Sequence, residues 1–490
     1  MKCRIALNHL PYGFIPFFMK QTIFILSLLI QHACYSQTCD CSAAISIVQE
    51  KVESNLASYQ QQVVEYKRGN AYARHKLLIN QEADSIRTLP ECRNLLARYL
   101  SFFRDEHLFF RYTDDALPFN SIADTAAVRQ FYQEEPVYHF TKSNSPDTTL
   151  DGHWIFEDGS FSIQVFAHTA KRSYRIGVME KDDQLFWRKG QLKMELFKKG
   201  DGSLGCIYRR GTRLPTYYPV RIEKNVMYLG RELRFVRYPE QVHAQSATET
   251  GLTFQPLSKQ TAYLRIPSFD LSRQLEIDSI MEVNKDIIAG FNNLIIDIRN
   301  NGGGGFEAFN ALLPFVADSI NIPHPYNASV WLSPENFSYY DESKYEYAET
   351  REDSLNEAAY IRFLEKHKGR FSPPDTGRQQ LPFILHQPKK IALLYNRRTA
   401  STAEGFILLS KESKRVKSYG ENSAGAITYG DWRPVEIPAL KVWIAMTTKK
   451  MVFLRPADFE SRGIQPDMPL DPNNETGWIR LVQADLEKVK

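Results

Sequence analysis

Long apolar runs are nearly absent from this chain, and their scarcity excludes most membrane architectures at once. The longest, Ile23 to Ile30, is too short to cross a bilayer as a helix, which takes about 20 residues. No second stretch approaches that length, so no membrane span is expected in the mature chain. An excess of one charge is missing too. The 61 Lys and Arg against 57 Asp and Glu leave +4, and three of the basic residues, Lys2, Arg4 and Lys20, lie in a leader with no acid. Without that leader the charge is +1, with basic and acidic residues interleaved. Phosphate recognition needs a concentrated basic face, so a nucleic-acid partner has no electrostatic basis. Cysteine is scarce, six in 490 residues. The Cys39-x-Cys41 pair has no further ligand nearby at metal-site spacing, so neither a metal nor an organic cofactor is implied.

What is present begins with a secretory leader. Lys20 precedes the apolar stretch, and small residues follow at Ala33 and Ser36, a signal-peptide pattern over residues 1–36. Met19 offers an alternative start. Cys34 invites a lipid anchor, but Gln31-His32-Ala33 lacks the small and aliphatic residues of such a site, which favours cleavage near Ser36 and a mature chain from near Gln37. Export to the periplasm or beyond permits disulfides. Cys39 or Cys41 could pair with Cys92, and the connectivity stays open among Cys39, Cys41, Cys92 and Cys206.

At 490 residues several folded units are expected, because single cores stop growing near 250 to 300 residues. Ile45, Val48, Val52, Leu56, Tyr59 and Val63 step by three and four, as do Cys92, Leu95 or Leu96, Tyr99 and Phe103. This spacing predicts an N-terminal helical region over 37–145. From Gly152 to Tyr238 short alternating runs such as Phe161 to Val165 are punctuated by Asp158-Gly159 and Lys199-Gly200-Asp201-Gly202. They predict a small antiparallel β domain over 146–240. A polar linker, Gln241 to Gly251, leads into strand, helix and strand from Ala262 onward. The order predicts an α/β domain over 255–475, with an insertion at 325–380 rich in Tyr, Glu and Asp covering it.

Two segments of that domain carry chemistry. Asn293 to Arg299 is an apolar strand running into Asn300-Asn301-Gly302-Gly303-Gly304-Gly305, where missing β-carbons let backbone N–H groups approach a reacting carbonyl. A hundred residues on, Thr399-Ala400-Ser401-Thr402-Ala403-Glu404 puts a hydroxyl at a helix start. Each has a plainer reading: the glycines as a tight turn, and Ser401 with Glu404 as a capping box.

Together the segments resemble the paired motifs of the C-terminal processing peptidase and tricorn-like serine peptidase family, over roughly residues 255 to 475 and one upstream histidine motif. The resemblance implies a crotonase/Clp-protease-like catalytic domain that cleaves peptide bonds through an acyl-enzyme, with peptides or proteins as substrate. It assigns Ser401 as nucleophile and places the oxyanion hole at Thr402 and Gly303, with Gly304 as the alternative. One branch of the family uses a lysine in Gly-Glu-x-Thr-x-Gly-Lys. Here Gly420-Glu421-Asn422-Ser423-Ala424-Gly425-Ala426 has alanine in that place, so the resemblance points to the tricorn-like branch, whose base is histidine. Phe103-Arg104-Asp105-Glu106-His107-Leu108 is its counterpart and assigns His107 as base. Glu460, in Glu460-Ser461-Arg462-Gly463-Ile464-Gln465-Pro466-Asp467, fills the slot of the carboxylate that orients the imidazole. Two departures stand out: Glu106 occupies the place of the branch's second serine, and no Gly-Leu-Gly-Phe-like loop of a PDZ module is found. The rival reading is a non-catalytic ligand- or peptide-binding protein on the same scaffold.

Overall fold

The two motif segments leave neighbouring strands of one parallel sheet. The structure is a computed structural model that describes residues 39–488 apart from 120–122, 141–146, 169–173, 200–201, 232, 239–250, 343–349, 375–377 and 456. The leader with its cleavage site and nearly all of the polar linker lie outside the described residues. In the sheet, Thr261–Arg265, Asn293–Asp297, Lys390–Tyr395 and Val416–Gly420 run parallel in that order. Thr253–Pro256 lies antiparallel on one edge and the short Met468–Pro469 parallel on the other. The central strands are apolar along their length because both faces are covered, as parallel sheets require. Ala262, Leu264, Leu294, Ile296 and Leu393 face Ile277, Met281 and Ile288 of the helix Gln274–Ala289. The alternate residues Tyr263, Ile295, Ala392 and Leu394 face Trp478 and Val482 of the helix Trp478–Leu486.

A second sheet is organised by the long strand Val442–Phe453. Phe109–Tyr112 pairs with its first half, Tyr326–Val330 with its second, and Tyr429–Ile437 along its other side. Helices Cys41–Asn55, Gly69–Ala83 and Leu89–Leu100 bury Ile45, Val48, Val52, Leu95, Leu96 and Tyr99 in one core with Val435, Val442 and Ile444 of this sheet. Cys41 is disulfide-bonded to Cys92, joining the first and third of these helices, while Cys39 and Cys206 are free and buried. The segment at 325–380, expected as a cover, contributes Tyr326–Val330 to the sheet itself. It also ties to the first helix, since Ser333 Oγ donates to Asn55 Oδ1 (2.6 Å) and Asn336 Nδ2 to Asn55 O (2.8 Å).

The strands between 152 and 237 form a closed barrel. Eight strands, from Gly152–Phe156 to Leu233–Arg237, pair in sequence, and the last pairs back to the first. Trp154, Ile163, Val165, Met194, Leu196, Cys206, Met227 and Phe235 fill the interior. Closure leaves no free edge, which removes the exposed backbone that an open antiparallel sheet would present.

Candidate active site

Parallel neighbours end on the same side, and the loops that leave them meet there. Asp297 is in register with Leu394, so residues 298–305 and 396–401 emerge together. Hydrogen bonds lace the two loops: Asn300 N to Asn396 Oδ1 (2.9 Å), Asn396 Nδ2 to Asn300 Oδ1 (2.8 Å), Thr399 Oγ1 to Ile298 O (2.9 Å) and Ala400 N to Asn301 O (2.9 Å). Beneath them Asp297 is fully buried. Burial works against its charge, yet the Arg299 guanidinium (Nη2 at 2.6 Å) and Arg265 hold its carboxyl below the usual range.

Ser401 stands before the helix Thr402–Ser410 with φ +55° and ψ −123°, a backbone region that a β-carbon makes costly. Glu404, wholly buried, holds that conformation. Its carboxylate accepts from Ser401 N (3.0 Å), Ser423 Oγ (2.6 Å), Gly425 N (2.7 Å) and Ala426 N (2.8 Å). Burial raises its pKa, and these four donors oppose the rise. The sequence motif marks Glu404 as half of a capping box; its grip on the 423–426 loop is visible only in space.

His107 Nε2 lies 3.3 Å from Ser401 Oγ, the two residues being 294 positions apart. Among the described residues, no other side chain is hydrogen-bonded to that hydroxyl. His107 immediately precedes Leu108 and the strand Phe109–Tyr112, whose pairing with Val442–Phe453 carries it to the serine. Its backbone N–H donates to Asp105 Oδ1 (3.1 Å), and Thr447 Oγ1 donates to Asp105 Oδ2 (2.7 Å). Burial lowers the imidazole pKa to about 4, so the ring is neutral at pH 7. Nδ1 is buried with no hydrogen-bond partner among the described residues.

Glu460 differs from its expected place as the imidazole's partner. Its oxygens accept from Glu106 N (2.8 Å) and Thr428 N (2.9 Å), so it braces the segment carrying His107 through the main chain. Burial, then the nearby Asp105, pushes the Glu460 carboxyl well up, and burial raises Asp105 to about 6. Arg104 Nη2 donates to Glu460 O (2.7 Å) and Ser461 Oγ to Glu106 Oε1 (2.7 Å), fastening the two segments further.

The glycine run presses against the serine. A β-carbon on Gly303 would sit 2.9 Å from Ser401 Cβ, Thr402 N and Ala400 O, and one on Gly304 would sit 1.9 Å from Phe269 O. Both glycines have positive φ, +97° and +143°. The first-choice oxyanion donor needs correcting. The N–H of Gly303 is taken by Asn301 Oδ1 (3.0 Å), a local turn that its neighbour's side chain closes. Gly304 faces the serine helix, its carbonyl accepting from Thr402 Oγ1 (2.6 Å). The place of the dyad lysine is filled by buried Ala426, and Lys450, on the long strand of the second sheet, pairs with Glu65 (2.6 Å).

Residues 260–470 match the model of peptidase family S41. That segment is a serine-type peptidase domain of this family. Among solved structures, mature CPAF complexed with lactacystin superposes on the peptidase with a TM-score of 0.51 at 13% identity, covering 91% of this chain and 97% of that one. The photosystem II D1 C-terminal processing protease gives a TM-score of 0.38 at 13% identity, over 88% and 93%. The first likeness shows a shared fold. No curated protein matches the chain. Among the described residues of the peptidase, no group of three His, Cys, Asp or Glu is placed to hold a metal, and no helix is long and apolar enough to cross a membrane.

Proposed function

We propose that this protein is an exported peptidase with a crotonase/Clp-type catalytic domain, and that it cleaves peptide or protein substrates through an acyl-enzyme on Ser401. The observation that carries this reading is the contact between Ser401 Oγ and the neutral imidazole of His107 at 3.3 Å, with the serine held at positive φ. A serine hydroxyl is a weak nucleophile until a base takes its proton, and apo contacts of this kind commonly tighten when substrate binds. His107 Nε2 takes that proton as Oγ attacks the carbonyl carbon, then returns it to the leaving amine. Water attacks the acyl ester in the second half, again through His107. The developing oxyanion is met by the N–H of Thr402, which as the first residue of its helix has no intrahelical acceptor, and by that of Gly304. Glu460 acts on the base through the Glu106 backbone. The leader at 1–36 supports export.

Reaction with a fluorophosphonate probe tests the reading. The label should fall on Ser401, and Ser401→Ala should lose both label and peptide hydrolysis while remaining folded, within the roughly 0.5 to 2 kcal/mol of a lost helix cap. A folded wild-type protein that takes no label and cleaves no peptide library would overturn it in favour of a binding protein on this fold.

A further inference from the structure

The barrel reaches the nucleophile through one buried acid. Glu157 follows the first barrel strand, Gly152–Phe156, and its N–H donates to Arg234 O on the last (3.0 Å). Its carboxylate forms ion pairs with two consecutive arginines: Oε2 with Arg397 Nη2 and Oε1 with Arg398 Nη2. Those arginines stand three and four positions before Ser401. Arg397 is buried and also bonded through Nη1 to Glu421 Oε1 (3.1 Å), at the end of the next parallel strand. Two cations thus meet two anions, which is what allows Glu157 and Arg397 to be buried there. The same end of the barrel makes a second contact. Arg231, in the turn before the last strand, donates through Nη1 to Ser423 O (2.6 Å), and Ser423 Oγ is one of the donors to Glu404. Both loops that shape the serine's strained backbone are therefore held from the barrel.

We propose that Glu157 is a positioning residue for the peptidase reaction, fixing through Arg397 and Arg398 the loop that sets Ser401 Oγ against His107 and the oxyanion donors. This rests on the peptidase reading of Ser401. Among the described residues of the barrel none is hydrogen-bonded to Ser401 or His107, so the effect falls on the geometry of attack: a misplacement of about 1 Å can cost about 10²-fold in rate. Loss of kcat with little change in KM is the signature of an interaction used in the transition state rather than in binding substrate.

The experiment measures kcat, KM and the rate of fluorophosphonate labelling at Ser401 for E157Q, E157D and R398Q, with M227A as a control that weakens the barrel interior away from this contact. E157Q should lose kcat and labelling rate by about 10- to 100-fold with KM within about threefold, and E157D should recover part of the loss. R398Q keeps the buried Glu157–Arg397 pair and should lose kcat several-fold, which decides the matter if E157Q does not fold. M227A should lower the melting temperature while its folded fraction keeps wild-type kcat. Wild-type kcat in R398Q together with wild-type or unfolded E157Q would overturn the proposal, as would an equal loss of kcat in M227A. Failure of the wild-type protein itself to label would instead overturn the peptidase reading.

Discussion

Because burial holds the His107 pKa down to about 4, its imidazole is neutral and able to accept a proton at pH values where an ordinary histidine would be mostly protonated. The acid limb of kcat/KM should therefore fall well below the roughly 6 to 7 that its residue type alone suggests, and His107→Ala should remove nearly all activity. A limb at 6 to 7 measured across a pH series would refute this placement of the ring. Stability follows with a definite sign. The unfolded ring titrates near 6.5, so between about 6.5 and 4 the unfolded chain binds the additional proton, and this contribution is full above 6.5 and lost as pH falls. Asp105, raised to about 6, works oppositely: the folded carboxyl keeps its proton longer, so its contribution declines as pH rises through that range. The two slopes oppose each other between about 4 and 6. Circular dichroism should show the fold persisting there while turnover changes. At this scale Ser401 and His107 were legible because their flanking motifs are local. Glu404 and Glu460 were legible only as residue types, since their partners at 423–426, 106 and 428 come from other loops.

The glycine run shows how an element can be recognised while its working atom is not. Strand, turn and positive-φ glycines follow from the local sequence, but which N–H is free depends on where the Asn301 side chain turns. The crowding separates the four positions. A β-carbon on Gly302 would meet nothing within 4 Å, whereas one on Gly304 would strike Phe269 O. Gly302→Ala should stay within about 0.5 kcal/mol of wild type in denaturant unfolding. Gly304→Ala should lower the melting temperature and cost about 10²- to 10³-fold in kcat through the displaced oxyanion donor. Near-normal turnover in Gly304→Ala would remove that glycine from the mechanism. The barrel illustrates a different limit. Alternating runs and Asp-Gly turns predict its strands equally well for an open sheet. Closure depends on Trp154 finding Arg237 across more than eighty residues, a pairing that no window of sequence contains.

For the molecule as a whole, the decisive arrangement is that Ser401 and His107, 294 positions apart, come from opposite halves of the chain and meet where the second sheet carries the histidine to the serine. The helices that back this sheet are joined by Cys41–Cys92, a link across 51 positions whose loop-entropy contribution is about 4 kcal/mol. Cys41→Ser with Cys92→Ser should lower the unfolding free energy by an amount of that order and leave the kcat of folded molecules unchanged, because neither sulfur adjoins the site. A fall in kcat without a fall in stability would contradict this division. The sequence left the connectivity open, with Cys39 or Cys41 to Cys92 among the plausible pairs, and the helix packing joins Cys41 to Cys92.

The barrel's first and last strands lie side by side, so the chain enters and leaves it at one place. Topologically it is a cassette: another module with adjacent ends could be spliced between the histidine and serine halves without stretching either. Chemistry narrows that freedom. Any replacement leaves two adjacent arginines just before Ser401, one of them buried, so a newcomer must supply an acid where Glu157 now stands to keep that pair satisfied.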